Sequence, residues 1–132
     1  MAADLHHIAE EIGKSLAHGD GERARAEALR LAFSFVEVFD HAGADRWWEL
    51  VRERPEPVGD ERLDALLAAL AEHLCAGVGL RAPLWVEAPE RFLSTWWFVS
   101  GITSLHADAL VHSPISFSRR GVFVTSGALS YA

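Results

Sequence analysis

The feature that most constrains this chain is the run from Asp60 to Gly79. Leu63, Leu66, Leu67, Leu70 and Leu74 recur there at i, i+3 and i+4 steps, behind an Asp60 N-cap with Glu61 in the first turn, and Gly77 and Gly79 stop the pattern. Such a stripe predicts an amphipathic helix whose leucines belong to a hydrophobic core. With 132 residues, half of them apolar, the chain has material for one core and little more, so a single domain over 1–132 is expected.

Three further helices are predicted in the first part, residues 1–53. Leu5, Ile8, Ala9, Ile12 and Leu16 form one stripe, ending near Gly19. Gly19-Asp20-Gly21 is a turn in which Asp20 can cap a second helix, with Ala28, Leu31, Ala32, Phe35, Val36 and Phe39 inward and an end by Gly43. Leu29, Phe33 and Val38 fall outside that stripe, a surplus apolar arc that needs a second neighbour or a partner. Asp45 can cap a short helix carrying Trp47, Trp48, Leu50 and Val51, before Arg54-Pro55-Glu56-Pro57 forces an extended linker.

The second part, 58–132, is rich in tryptophan. Beyond Pro83 it breaks into short pieces: a helix from Pro89 through Phe92, Leu93, Trp96 and Trp97, and another over Ser104 to His112. Ser113-Pro114 then restarts the chain, and Gly121 turns it into the β-type run Val122-Phe123-Val124, with Thr125 or Ser126 able to cap a terminal helical turn. The expected fold is mainly α: one compact helical domain with a short strand or hairpin near the C-terminus.

The formal net charge of −7 argues against a protein that holds phosphate backbones and favours a basic partner, so no direct nucleic-acid binding is expected. One cysteine, Cys75, forms no internal disulfide, and the N-terminus lacks the pattern of a secretory signal; a cytoplasmic location is expected. The longest apolar stretch, Leu29 to Phe39, is interrupted by Arg30, Ser34 and Glu37, so no membrane role is indicated.

Catalytic patterns fail one by one. His106 lies about 200° from Asp108 and about 240° from His112 around a helix, so these groups do not converge on a metal. His6 with Glu10 and His7 with Glu11 share a face but offer two ligands per pair beside a fraying terminus. No metal and no cofactor are expected. Cys75 stands in an Ala- and Leu-rich helix and reads as packing, and no serine lies in G-x-S-x-G. The string Gly77-Val78-Gly79-Leu80-Arg81-Ala82 follows a helix and runs into Pro83, whereas a dinucleotide loop must leave a strand and open a helix.

Two features suggest binding instead. Adjacent residues on a helix point about 100° apart, so one member of each pair, Trp47-Trp48 and Trp96-Trp97, is expected at the core edge as a contact. Arg119-Arg120-Gly121, beside Phe117 and Phe123, is either a phosphate or base clamp or a solvated turn paired with carboxylates, and the acidic total favours the turn. The candidate partner contacts are therefore Phe33, Val38, Trp47, Trp48, Trp96, Trp97, Arg119 and Arg120.

The wording from Val58 onward is distinctive: Gly59-Asp60-Glu61-Arg62-Leu63 through Glu72-His73-Leu74, Pro83-Leu84-Trp85, Arg91-Phe92-Leu93 with Trp96-Trp97-Phe98, Leu105-His106-Ala107-Asp108-Ala109-Leu110, and Ser113-Pro114 through Arg119-Arg120-Gly121-Val122-Phe123-Val124. It resembles a group of small actinobacterial proteins whose members look like antitoxin partners of nucleotidyltransferase-type toxins. The resemblance covers a little over half the chain and implies a non-enzymatic regulator that neutralises a basic nucleotidyltransferase-like toxin by direct contact. It assigns no residue roles, and the chain lacks an obvious N-terminal DNA-binding module. A helical adaptor or homodimeric structural protein, and a small-ligand binder or enzyme with an aromatic pocket, remain the alternatives.

Overall fold

The structure, a computed structural model, describes residues 3–129. Its elements are α1 (Leu5–His18), α2 (Gly21–His41), α3 (Trp47–Val51), α4 (Glu61–Gly77), β1 (Trp97–Phe98), α5 (His106–His112), α6 (Ile115–Ser118) and β2 (Val122–Phe123), with single 3-10 turns at Ala44–Arg46, Leu84–Glu87, Pro89–Arg91 and Thr103–Leu105. The mainly helical expectation holds. No helix among the described residues is long and apolar enough to cross a membrane.

The leucine helix is the central one. The Asp60 carboxylate accepts from the backbone N–H groups of Arg62 and Leu63, as the N-cap reading requires. Every residue from Ala65 to Ala71 is buried, so α4 is enclosed on nearly all sides rather than along one stripe. The alanines between the leucines make this possible, because a methyl group lets neighbouring backbone approach where a longer side chain would not. Against α4 lie α2, α6, β2 and the turns at 84–91, and α1 packs on α2. One hydrophobic cluster runs from Leu5 to Val124 and joins both parts of the chain.

Four local expectations are corrected. Pro89 starts only a 3-10 turn, and the segment after it is not helical, because its backbone donors are taken by the distant segment 120–123: Leu93 N–H donates to the Arg120 carbonyl (2.9 Å), Trp97 to Gly121 (2.8 Å) and Val99 to Phe123 (3.0 Å). Trp96 and Trp97 therefore do not lie on a helix. The strand near the C-terminus is paired, but in parallel, with Trp97 opposite Val122 and Phe98 opposite Phe123, so it is not a hairpin. Asp20 sits at the α2 N-cap without a side-chain hydrogen bond, and Asp45 falls inside a 3-10 turn and caps nothing. Gly121 makes the expected turn at φ +78°, in the left-handed region that glycine enters freely. The terminal turn after Thr125 is present, with Ala128 N–H donating to the Thr125 carbonyl (3.0 Å); its continuation over 130–132 lies outside the described residues.

Candidate functional site

Two buried arginines fix the C-terminal third to α4. Arg91 donates through Nη2 to the Pro55 carbonyl (2.8 Å) and through Nη1 to the Asp64 carbonyl (3.1 Å), with its guanidinium 5.0 Å from the Trp85 ring centroid. Trp85 in turn donates through Nε1 to the Val51 carbonyl (2.8 Å), tying the turn at 84–87 to the end of α3. Arg120 is 0% exposed and donates to Glu72, to the Ser116 carbonyl (2.7 Å) and to the Val86 carbonyl (2.7 Å). Its Nε is also buried and has no hydrogen-bond partner among the described residues, while its guanidinium lies 4.7 Å from the Phe92 ring centroid. Burial alone would raise the Glu72 pKa, but the hydrogen bonds and charges of Arg119 and Arg120 outweigh it and hold the carboxyl below its ordinary value.

This anchorage sets up an aromatic row. Trp96 packs on Phe123 (centroids 4.9 Å apart), Phe123 on Phe98 (5.2 Å), and Phe98 on His106 at the start of α5 (4.0 Å). The Ser113 hydroxyl holds the far end of α5 against β2, donating to the Ala109 carbonyl (2.6 Å) and accepting from the Val124 N–H (2.8 Å). Ala109 is then the only buried residue of α5. By the helical period its opposite side is Ala107, Leu110 and Val111, which face solvent. Val111 is 76% exposed, Ile115 72%, Trp96 62% and Leu110 47%, and Ile102 and Leu105 are exposed too.

The same region is almost without charge: between Phe92 and Ser118 the only Asp, Glu, Lys or Arg is Asp108. Even that carboxylate is engaged, by the Ser126 N–H (2.8 Å) and hydroxyl (3.2 Å) and by His112 Nδ1 (3.1 Å). Exposed apolar side chains in a stretch depleted of charge, Trp96 among them, have the character of an interface core. These side chains are the candidate site.

The candidate contacts read from the sequence are divided by the structure. Trp96 and Trp48 are exposed and available. Trp97 is buried, because β1 turns it opposite to Trp96, and it lies with Arg62 over its ring at 5.8 Å; it is not a surface contact. Trp47 is half-buried, stacked on Phe39 at 5.8 Å with Nε1 donating to the Phe39 carbonyl (3.2 Å). Arg120 is an internal post and presents nothing to a partner, which corrects the solvated-turn reading for this residue. Arg119 fits that reading, bridging Glu72 (2.8 Å) and Glu87. Phe33 and Val38 are partly buried against the core edge; Leu29 and Phe33 share an open groove of about 530 Å³ with Ala128 and Leu129, so the surplus arc of α2 has the end of the described chain as a neighbour. Sequence reading missed Ile102, Leu110, Val111 and Ile115. The gap in charge from Phe92 to Ser118 was the sequence signal nearest to them, and it does not distinguish surface from core.

Of the titratable groups, Cys75 is buried and its thiol is pushed up to about 11, an environment for packing rather than nucleophilic attack. Asp4, His6 and His7 bring ligand-type atoms within 4.8 Å of one another, a convergence that the His–Glu spacings did not suggest. It has a structural cause: Asp4 is the α1 N-cap, accepting from His7 N–H (2.9 Å) and Nδ1 (2.6 Å), while His6 pairs with Glu53 (3.1 Å). The positive end of the helix dipole opposes a cation there. Comparison of the chain with protein-family models, with curated proteins and with solved structures finds no match.

Proposed function

We propose that this chain is a non-enzymatic protein-binding regulator that works through the charge-poor, exposed apolar side chains of its C-terminal third. The observation that carries this reading is the exposure of Trp96, Leu110, Val111 and Ile115 within a stretch whose single charge is internally satisfied. Interface hot spots are enriched in tryptophan and are fully desolvated on docking, aliphatic groups around them exclude water, and charged residues are depleted from interface cores. Trp96 is the natural anchor, a large ring packed on Phe123, which in turn stacks on Phe98.

The partner we assign is a basic, nucleotidyltransferase-like toxin, in keeping with the antitoxin resemblance. The remainder of the chain carries net charge −6, the total of −7 less Asp108, and that excess steers a basic protein toward it while the exposed apolar side chains supply the lasting contact. Co-expression with the product of the adjacent gene tests this: relief of growth arrest and co-purification are expected, and Trp96→Ala should weaken binding by about 2 kcal/mol or more while leaving the circular dichroism spectrum intact. A harmless neighbour that does not co-purify would overturn the reading.

A further inference from the structure

Trp47 and Trp85 spend their indole N–H groups on carbonyls, of Phe39 (3.2 Å) and Val51 (2.8 Å), as rings withdrawn from water usually do. Trp97 is as deeply placed as Trp85, 8% exposed against 9%, yet its Nε1 has no acceptor among the described residues. That nitrogen is not sealed in either, because the only fully enclosed side-chain nitrogen or oxygen left unpartnered among those residues is Arg120 Nε. The space Trp97 borders is a cleft of about 380 Å³ between the N-terminal half of α2, the start of α4 and β1, with Glu22, Arg25, Leu29, Arg62 and Phe98 also in its wall.

We propose that this cleft binds a small carboxylate with an apolar body, its head held by the Arg62 guanidinium and the Trp97 N–H. The site is separate from the exposed apolar side chains assigned to a protein partner and does not depend on that reading.

The donors select the head group. Arg62 is exposed, its guanidinium lies 5.8 Å from the Trp97 ring centroid, and it makes no ion pair among the described residues. A guanidinium presents parallel N–H donors that match the two oxygens of a carboxylate, and such an oxygen also supplies the acceptor that the Trp97 N–H lacks. Arg25 contributes a second positive charge from α2; its Nη2 is 3.9 Å from Asp60, whose carboxylate is otherwise committed to capping α4. Glu22 in the wall and Asp60 beside Arg25 match the two guanidiniums in number, so the cleft suits a single negative charge and disfavours a polyphosphate. Its volume stands near the lower end of the roughly 300–1,000 Å³ of ligand pockets, and Leu29 and Phe98 give an apolar body a surface to pack on.

Heteronuclear NMR of the isotope-labelled full chain tests this, because each tryptophan gives its own indole N–H signal. On titration with cinnamate or octanoate the Trp97 signal should move and saturate, with a dissociation constant of about 1 mM or below for at least one of the two acids. The signals of Trp47 and Trp85, already bonded to carbonyls, should hold still. Cinnamamide, which keeps the shape of cinnamate without its charge, should bind more weakly by about tenfold or more, and Arg62→Gln should weaken binding of the acids by a similar factor through loss of the charge-assisted pair. Arg81→Gln removes the same charge away from the cleft and should leave the titration unchanged. Should Arg62→Gln fail to fold, Arg25→Gln takes its place, with a severalfold loss expected. A Trp97 signal that neither acid moves, an amide that binds as tightly as the acid, or an Arg62→Gln protein that binds like the wild type overturns the proposal.

Discussion

Adjacent arginines with the same charge and one shared acidic partner should differ several-fold in what they contribute to stability. Arg120 is fully buried and donates to Glu72 and to two carbonyls, Ser116 and Val86, whereas Arg119 is partly exposed and pairs with Glu72 and Glu87 at the surface. Arg120→Met keeps much of the volume and the contact with Phe92 but leaves two buried carbonyls without their donor. Each such loss costs about 1–3 kcal/mol, and breaking a buried charge pair from one side costs about 3–5 kcal/mol in total. Against a typical stability of about 5–15 kcal/mol, and at about 4 °C per kcal/mol for a domain of this size, the melting temperature should fall by roughly 12–20 °C. Glu72 retains Arg119, which keeps the loss below the upper extreme. Arg119→Ala, by contrast, removes a solvent-screened pair and should cost no more than about 1 kcal/mol. Urea unfolding of the two variants beside the wild type measures the difference directly. Equal losses, or less than about 1 kcal/mol for Arg120→Met, would refute the view that Arg120 is the post holding β2 and the turn at 84–87 to α4.

Leu67→Ala should cost about 2–5 kcal/mol by chemical denaturation, because Leu67 is wholly enclosed in the centre of α4; a change within about 0.5 kcal/mol would remove it from the core. Cys75 in the native protein should react with iodoacetamide roughly a hundredfold more slowly than the unfolded chain, since a thiol pushed up to about 11 from 9.0 holds that much less thiolate; equal rates would contradict its burial. Two groups should lose stabilisation as pH falls. Burial lowers the His73 pKa below 6.5, so the unfolded chain takes up a proton first and stability is lost from 6.5 downward; Glu72, held below 4.5, adds a second loss as pH falls below 4.5. His73→Gln should flatten the first of these in melting curves recorded from about pH 7.5 to 5.5.

Helices whose instructions are local were legible from the residues alone. The Asp60 cap, the leucine spacing and Gly77 together define α4, and Leu5 to Leu16 define α1, because helical hydrogen bonds connect residues four apart and the apolar period is written in the same few turns. The seven-residue enclosure of α4 and the division of the tryptophans were decided elsewhere. Whether Pro89 to Trp97 continues as helix depends on backbone acceptors at Arg120, Gly121 and Phe123, more than twenty residues away, and once those are engaged the strand alternation sends Trp97 inward and Trp96 out. Arg120 is likewise indistinguishable from Arg119 until Glu72, Val86 and Ser116 converge on it. The scarcity of charge from Phe92 to Ser118 is plain in the sequence, yet a charge-poor stretch is equally the mark of a buried core. Only the tertiary packing, by covering Ala109 and leaving Leu110, Val111 and Ile115 open to solvent, turns that stretch into a surface.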